Sequence, residues 1–192
     1  MPPEVILQRM LDGDTAAFRE LYDLFYQRVY NTCLLYLQQV PEAEEAVQDV
    51  FLELYQSAAK FRADASLTTW IYRIAVNKCL DRLRYKQRQK RFAFLTSIFH
   101  RDTGELLHDM PVPQHPGIVL EQKENTAVLY AAIRQLPDNQ QTAFILKQAE
   151  GLPQKEIAQI MGVTEKAVEA LLQRAKANLR QKLGDFFEKR RK

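Results

Sequence analysis

The sequence has few of the residues that build disulfides, metal sites or membrane spans. Its 192 residues include two cysteines, Cys33 and Cys79, which are far apart in the chain and belong to no CxxC pair. We therefore expect free thiols in a reducing compartment. No apolar run approaches the roughly 18 residues of a membrane-spanning helix, and the N-terminal stretch lacks a basic segment followed by an apolar one. These absences predict a cytoplasmic protein without membrane insertion.

Side chains arranged for catalysis or cofactor binding are missing as well. The sequence has no Ser/His/Asp set, carboxylate pair or glycine-rich phosphate loop at a usable spacing. His100, His108 and His115 share no helix face and show no HxxxH spacing, so they predict no metal site. We expect no catalytic residue, no cofactor and no enzyme activity.

What the chain does contain is helical periodicity in two blocks. Hydrophobic residues make up 46% of it, and the net charge of +3 is small, so the placement of charge is more informative than its total. Residues 100–117 separate the blocks and contain three prolines and two glycines, a linker composition. The sequence predicts an all-α protein with two small helical domains, 1–93 and 123–184, joined by a flexible linker at 94–122 and followed by a basic tail at 185–192.

The stretch from Ser66 to Arg91 combines aromatic and basic residues in a way that an ordinary core helix does not need. No Gly or Pro interrupts it, and Ser66 or Thr68 can cap its start. At 100° per residue, a polar stripe and an apolar face lie on opposite sides of this helix. The stripe contains Trp70, Arg73, Asn77, Asp81, Arg84 and Arg88, and the inward face contains Tyr72, Val76, Cys79, Leu80 and Leu83.

This stripe has two interpretations. A charge run at the end of a helix is usually a solvated face that also suits the negative end of the helix dipole. However, an exposed aromatic ring stacks unpaired bases at roughly 1–3 kcal/mol each, and Asn can pair with an adenine edge. The mixture therefore favours strand-separated DNA over intact duplex, with Trp70 as a core residue being the alternative.

The preceding helix, which begins at Pro41, is acidic. Helix-dipole effects account for the acids in its first turns but less well for Asp49 and Glu53. An acidic amphipathic helix beside a basic one indicates two different partners, a basic protein surface and nucleic acid.

Near the C-terminus, a short helix meets the turn Gly162-Val163-Thr164 and a second, basic amphipathic helix follows. This is the helix-turn-helix pattern, although such turns also occur in plain bundles. The first turns of the second helix usually read the groove, and later positions are better placed for phosphates, but the sequence does not separate the two roles. The base-contact candidates are Lys166, Glu169 and Gln173, and the phosphate candidates are Arg174, Lys176 and Arg180.

These blocks together resemble the small, extracytoplasmic-function (ECF) group of bacterial RNA polymerase sigma factors. They occur in family order over nearly the whole chain: GDTAAFRELYDLFYQRVY, AEEAVQDVFLELYQ, FRADASLTTWIYRIAVNKCLDRLR and LPDNQQTAFILKQAEGLPQKEIAQIMGVTEKAVEALLQRAKANLR. The resemblance implies one helical domain for each promoter element and a linker that passes near the polymerase active site. The recognition helix departs from many members at Glu169, Ala170 and Leu171, so the sequence preference of the family does not transfer.

The resemblance also implies partners and site residues. Core RNA polymerase would bind the acidic helix, promoter DNA would bind both domains, and an anti-sigma factor would sequester the chain and cover Phe92 to Phe99. The core-polymerase contacts would be Glu45, Gln48, Asp49 and Phe51. The melted downstream (-10) element, with one base flipped out, would contact Lys60, Phe61, Arg62, Trp70, Arg73, Asn77, Arg84 and Arg88. The upstream (-35) element would contact Thr164, Lys166, Glu169, Ala170, Gln173, Arg174 and Lys176 as duplex.

Two other functions fit parts of the sequence. The C-terminal domain alone also suits a stand-alone helix-turn-helix transcriptional regulator, whose N-terminal domain would sense a ligand or form a dimer. An interaction protein, whose acidic and basic helices bind only other proteins, is the third hypothesis, and it predicts DNA binding without a steep salt dependence.

Overall fold

The computed structural model describes residues 1–62, 64–99 and 120–190. These residues form eight α-helices and one short 3-10 helix, and the described part of the chain contains no strand, as the all-α prediction requires. The α-helices are α1 (Pro3–Leu11), α2 (Thr15–Leu37), α3 (Val40–Ser57), α4 (Leu67–Phe99), α5 (Leu120–Arg134), α6 (Asp138–Gln148), α7 (Gln154–Met161) and α8 (Glu165–Arg190). The 3-10 helix is Ala58–Lys60.

Helices α1 to α4 form the first unit, and local capping fixes where its helices begin. The Asp14 carboxylate accepts a hydrogen bond from the backbone N–H of Ala16 at 2.9 Å and caps α2. Pro41 lies in the first turn of α3, where its missing N–H leaves no bond unmade. At the start of α4, the Ser66 hydroxyl accepts from the backbone N–H of Thr69 at 3.1 Å. Of the two predicted caps of α4, Ser66 is therefore the one that acts.

Helices α5 to α8 form the second unit. The two short helices α6 and α7 pack on each other and on α8. Gly162 ends α7 in the left-handed region with φ of 66°, a conformation that a side chain disfavours, and the chain turns there into α8. The buried face of α8 includes Val168, Leu172, Ala175 and Leu179. The predicted helix-turn-helix is present.

Helix covers both ends of the segment predicted as a linker. Helix α4 continues to Phe99 and α5 already begins at Leu120, because neither stretch contains Gly or Pro and the hydrogen-bonded ladder can continue. Likewise, α8 continues to Arg190, through most of the stretch predicted as a tail. The three histidines, at 100, 108 and 115, lie outside the described residues.

The two units pack against each other. Helix α7 lies against α4, and α6 lies against α2. We call this arrangement the closed form. It brings the helix-turn-helix domain onto the same helix that carries the predicted stripe for single-stranded DNA.

Candidate nucleic-acid and polymerase interfaces

The loop before α4 and the first turns of α4 form a small pocket. The rings of Phe61 and Trp70 pack at 5.2 Å between centroids and a 44° interplanar angle, so each ring supports the other. Lys60, Arg62 and Arg73 line a cavity of about 290 Å³ around this ring pair, together with Asp64, Ala65 and Gln159. Aromatic faces with cations around them are the combination that holds unpaired bases and their phosphates.

Trp70 is half-buried in this arrangement. It packs against the hydrophobic core on one side and borders the pocket on the other. Its position therefore combines features of the two sequence interpretations, the stacking surface and the core residue. A ring held by packing loses little side-chain entropy when a base stacks on it.

The remaining stripe residues on α4 have different surroundings. Asn77 and Arg88 are exposed. Arg73 donates a hydrogen bond of 2.5 Å from Nη2 to the backbone carbonyl of Gln159, on α7. Arg84 lies 3.8 Å from an Asp138 carboxylate oxygen, at the start of α6. Arg73 and Arg84 thus each contact the second domain, and both remain exposed to solvent.

The inward face of α4 agrees with its prediction. Tyr72, Val76 and Cys79 are buried, and Leu80 and Leu83 pack partly buried against the core. Cys33 and Cys79 are free and buried. A hydrogen bond with the Cys33 thiol and burial raise the pKa of Cys79, so the two cysteines meet in the core although they are distant in sequence.

The acidic helix α3 and the basic helix α4 form ion pairs with each other. Arg82 bridges Asp49 at 2.5 Å and Glu45 at 3.0 Å. Lys86 pairs with Glu42, and Lys78 pairs with Glu53 at 2.5 Å. The sequence predicted that the acids bind one partner and the bases another. The structure shows that they also form ion pairs with each other. The sequence does carry a signal of this pairing. Acids at positions 42, 45, 49 and 53 and bases at 78, 82 and 86 both recur at helical spacing, and they pair in antiparallel order.

The pairing also affects the pKa of Arg82. Partial burial acts to lower its pKa, but hydrogen bonds to Asp49 and Glu45 outweigh this and raise the pKa above the ordinary value. The acid side chains remain accessible, because Glu45 is 67% exposed and Asp49 is 44% exposed. Both therefore still face solvent at the surface predicted to bind polymerase.

The other two predicted polymerase contacts differ in exposure. Gln48 is exposed on the outer face of α3. Phe51 is only 3% exposed, and its ring packs on Tyr22 of α2 at 4.6 Å. Phe51 therefore packs in the core beneath the outer face of α3. Leu52 and Tyr55, which the prediction did not include, are exposed on α3 beside it.

The recognition helix α8 presents nearly all of its predicted DNA contacts to solvent. The Thr164 hydroxyl accepts a hydrogen bond of 3.2 Å from the backbone N–H of Ala167 and so caps the helix. Ala170 is half-buried, so only part of its surface is available to a groove. The exposed residues are Thr164, Lys166, Glu169, Gln173, Arg174 and Lys176.

A buried carboxylate that the sequence does not predict lies between the two domains. The side chain of Glu150, just after α6, is only 5% exposed. It accepts a hydrogen bond from the Thr32 hydroxyl at 2.8 Å and another from the Tyr72 hydroxyl, and Arg28 Nε lies 3.6 Å away. Burial and the hydrogen bond to Glu150 raise the pKa of Tyr72, so its hydroxyl stays protonated as a donor. An acid at the end of a helix gives no sequence signal of such a role.

The described residues contain no group of three or more His, Cys, Asp or Glu side chains that could hold a metal ion. Within the same part of the chain, no helix is both long enough and apolar enough to span a membrane.

Comparison with known proteins agrees with the two-domain division. The family model described as sigma-70 region 2 matches residues 21–89, and the model described as sigma-70 region 4 matches residues 126–179. Together they cover well over half of the chain. The ECF RNA polymerase sigma factor SigW of Bacillus subtilis is 29% identical over 185 residues, which cover 94% of this chain and 96% of the relative.

Two solved structures share the fold. One is CnrH in complex with the cytosolic domain of CnrY, at a TM-score of 0.68 and 19% identity, covering 94% of this chain and 96% of that one. The other is the sigma factor RpoE in complex with the anti-sigma factor NepR from Bartonella quintana, at a TM-score of 0.64 and 20% identity, covering 87% and 96%. With both sigma-70 regions matched in order on two helical units, the chain belongs to the sigma-70 family, as a sigma factor of the extracytoplasmic-function group.

Proposed function

We propose that this chain binds core RNA polymerase and directs it to promoters, where it recognises and melts the DNA that begins transcription. The observation that carries this proposal is the presence of both sigma-70 regions in one chain, each on its own helical unit. A stand-alone regulator needs the helix-turn-helix but does not need region 2. The work of this protein is then binding without chemistry on a substrate, in the cytoplasm.

The division of labour follows the domain boundaries proposed from the sequence. Residues 1–93 bind the polymerase and the melted downstream element, and residues 123–184 bind the upstream element. Residues 94–122 connect them, and the basic tail, 185–192, adds phosphate attraction without sequence preference.

The upstream element would be read as duplex by α8. Its first exposed turns carry a hydroxyl, an ammonium, a carboxylate and an amide, the groups that pair with base edges in a major groove. The cations that follow, Arg174 and Lys176, suit phosphates on either side of the groove. We propose Thr164, Lys166, Glu169, Ala170 and Gln173 as the residues closest to the bases.

The downstream element would be held as a single strand by the pocket before α4. Melting costs stacking energy, and stacking a base on the Phe61–Trp70 ring pair offsets part of it. Lys60 and Arg62 are exposed beside the rings and would hold the backbone of the strand. Along α4, Arg73, Asn77, Arg84 and Arg88 would continue this track once the second domain has moved away.

Core polymerase would bind the outer face of α3. Glu45, Gln48 and Asp49 are accessible there, and the exposed Leu52 and Tyr55 extend the same helix surface with apolar contacts. A rim of acids around apolar side chains is a common composition for a protein interface and complements a basic partner. Phe51 would contribute from below, by holding the helix in place.

We also propose that an anti-sigma factor regulates this chain. The two solved structures compared above are complexes, one with the cytosolic domain of CnrY and one with the anti-sigma factor NepR. The segment predicted to be covered by such a partner, Phe92 to Phe99, continues α4 beyond the first domain.

The test is promoter binding with and without polymerase. We expect the free chain to bind promoter duplex with little specificity and the chain with core polymerase to protect two separate elements from cleavage. Specific, polymerase-independent binding to a duplex operator would instead favour the stand-alone regulator. A chain that never associates with core polymerase would refute the proposal.

A further inference from the structure

The first turn of α4 is capped by two side chains, one of which comes from the N-terminal helix α1. The first N–H groups of a helix have no partner within the helix itself. The Ser66 hydroxyl accepts from the N–H of Thr69. A carboxylate oxygen of Glu4 accepts from the N–H of Leu67 at 3.1 Å, across 63 positions of the chain. The negative charge of Glu4 also complements the positive end of the helix dipole.

The N–H of Leu67 depends on this bond. Leu67 is 0% exposed, so its N–H cannot exchange Glu4 for water unless the start of the helix moves. A buried N–H without a partner is unfavourable, and folded proteins rarely keep one. Loss of the Glu4 carboxylate therefore favours fraying of the first turn of α4, where the N–H of Trp70 bonds to the carbonyl of Ser66 at 3.1 Å.

Helix α1 is itself held in place on the first domain. Its residues Ile6 and Leu7 are buried in the hydrophobic core. In its last turn, Arg9 bonds to Glu20 of α2 at 3.0 Å. Glu4 lies in the first turn of α1 and contacts α4. A carboxylate on a fixed helix loses less freedom when it holds a partner than one on a mobile segment does.

Helix α1 contacts both flanks of the segment that carries the ring pocket. It lies against the 3-10 helix before this segment and against α4 after it. Phe61 directly follows the 3-10 helix, and its N–H bonds to the carbonyl of Ala58 at 3.0 Å. Trp70 lies at the start of α4. The placement of the two rings relative to each other therefore depends on the flanks that α1 holds.

The family comparison assigns no role to α1, because the match to sigma-70 region 2 begins at residue 21. We propose that Glu4 is a positioning residue for promoter melting, which fixes the start of α4 and so keeps Trp70 against Phe61, ready to receive an unpaired base. A binding surface that is already in its bound conformation loses less freedom when its ligand stacks on it. The role in melting rests on the proposed function, whereas the contact between Glu4 and α4 does not.

Trp70 is the only tryptophan of the sequence, so its fluorescence reports on the ring pocket in the full-length free chain. We expect Glu4→Ala to make Trp70 more accessible to the quencher acrylamide and to shift its emission to longer wavelength. Glu4→Gln keeps an acceptor oxygen and should restore most of the parent signal. Gln8→Ala, one turn further along α1, is the matched control, because the Gln8 amide bonds to Asp12 at the end of α1.

Glu4→Asp guards against a general loss of folding. It keeps the negative charge in the first turn of α1 and withdraws the carboxylate by one methylene group, so the 3.1 Å bond to Leu67 is lost. It should expose Trp70 as Glu4→Ala does, with the helix content of the parent by circular dichroism. Unchanged Trp70 fluorescence in both variants, or equal exposure of Trp70 in Glu4→Gln, would overturn the positioning by this hydrogen bond.

The role in melting is tested in the complex with core polymerase, on a promoter that the parent complex transcribes. We expect Glu4→Ala to slow promoter opening by roughly 2- to 10-fold, the factor that one hydrogen bond contributes, and to leave recruitment to duplex unchanged. Equal losses at the two steps, or opening at the parent rate, would overturn this role. A parent chain that directs no transcription would refute the proposed function and the role in melting with it, while the fluorescence of Trp70 decides separately on the contact with α4.

Discussion

Trp70 lies where the core meets the pocket proposed to bind DNA, which makes its substitution informative. We expect Trp70→Ala to weaken promoter opening about tenfold or more, because stacking on an aromatic ring contributes about 1–3 kcal/mol per base. Initial recruitment to duplex should change little, since no phosphate contact is removed. Stopped-flow fluorescence of promoter melting, compared with filter binding of the closed complex, separates the two steps.

Trp70→Phe is the control, because it keeps a ring against Phe61. Equal losses at recruitment and at opening, or a drop in the thermal midpoint large enough to indicate unfolding, would assign Trp70 to the core instead. The half-buried position makes a modest loss of stability compatible with the stacking role.

Thr164 has a local structural role besides its proposed contact with DNA. Thr164→Ala removes the cap on α8 and should destabilise the helix by about 0.5–2 kcal/mol, visible as a lower thermal midpoint of the free chain. Thr164→Ser keeps the hydroxyl and should melt like the parent. If Ala and Ser variants melt alike, the hydrogen bond to Ala167 does not stabilise α8.

At the scale of helices, much of the fold could be predicted from local signals. Ser66 and Gly162 mark helix ends through capping and turn chemistry that depends on a few neighbouring residues, and the structure confirms them. The inward face of α4 also follows from periodicity alone. The ion pairs between α3 and α4 were not predicted, because predicting them requires knowing that these two helices pack side by side.

The pairing of α3 with α4 changes how the polymerase interface must be tested. Asp49→Arg alone would place two bases together and remove the bridge to Arg82, at a cost of about 1 kcal/mol for a partly exposed pair. The double variant Asp49→Arg/Arg82→Asp keeps the pair with its signs exchanged. We expect the double variant to recover thermal stability but not affinity for core polymerase, measured by fluorescence anisotropy of the labelled chain.

Recovery of polymerase affinity in the double variant would contradict a direct contact by Asp49 and leave it a structural role on α3. Asp23→Lys, at an exposed position of α2, is a control for the general effect of added positive charge, because its ion pair with Arg19 joins two largely exposed side chains.

Helix α8 permits a test that separates phosphate contacts from base contacts. In the complex with polymerase, the slope of log affinity against log salt is negative. Lys176→Gln should make this slope less negative by about 0.9, the contribution of one phosphate contact. Gln173→Ala should leave the slope unchanged and alter the preference among upstream sequences. A salt slope near zero in the parent would favour a chain that binds only proteins.

At the scale of the whole molecule, the sequence predicts the two domains but not how they meet. Glu150, Tyr36 and Gln38 contact residues about 80 to 120 positions away, and no periodic pattern encodes such pairs. The interface between the two domains contains a few directed hydrogen bonds, and the residues that form them follow no recognisable sequence pattern. The closed form is accordingly the main feature that the structure adds to the sequence.

The most direct measurement of the central claim is in-vitro transcription from a pool of genomic promoter fragments, with core polymerase alone and with the purified chain added. We predict discrete new start sites that depend on the chain, and alignment of their upstream DNA should yield two elements. The absence of new starts, while the chain still shifts particular duplexes without polymerase, would contradict a role in directing the polymerase to promoters.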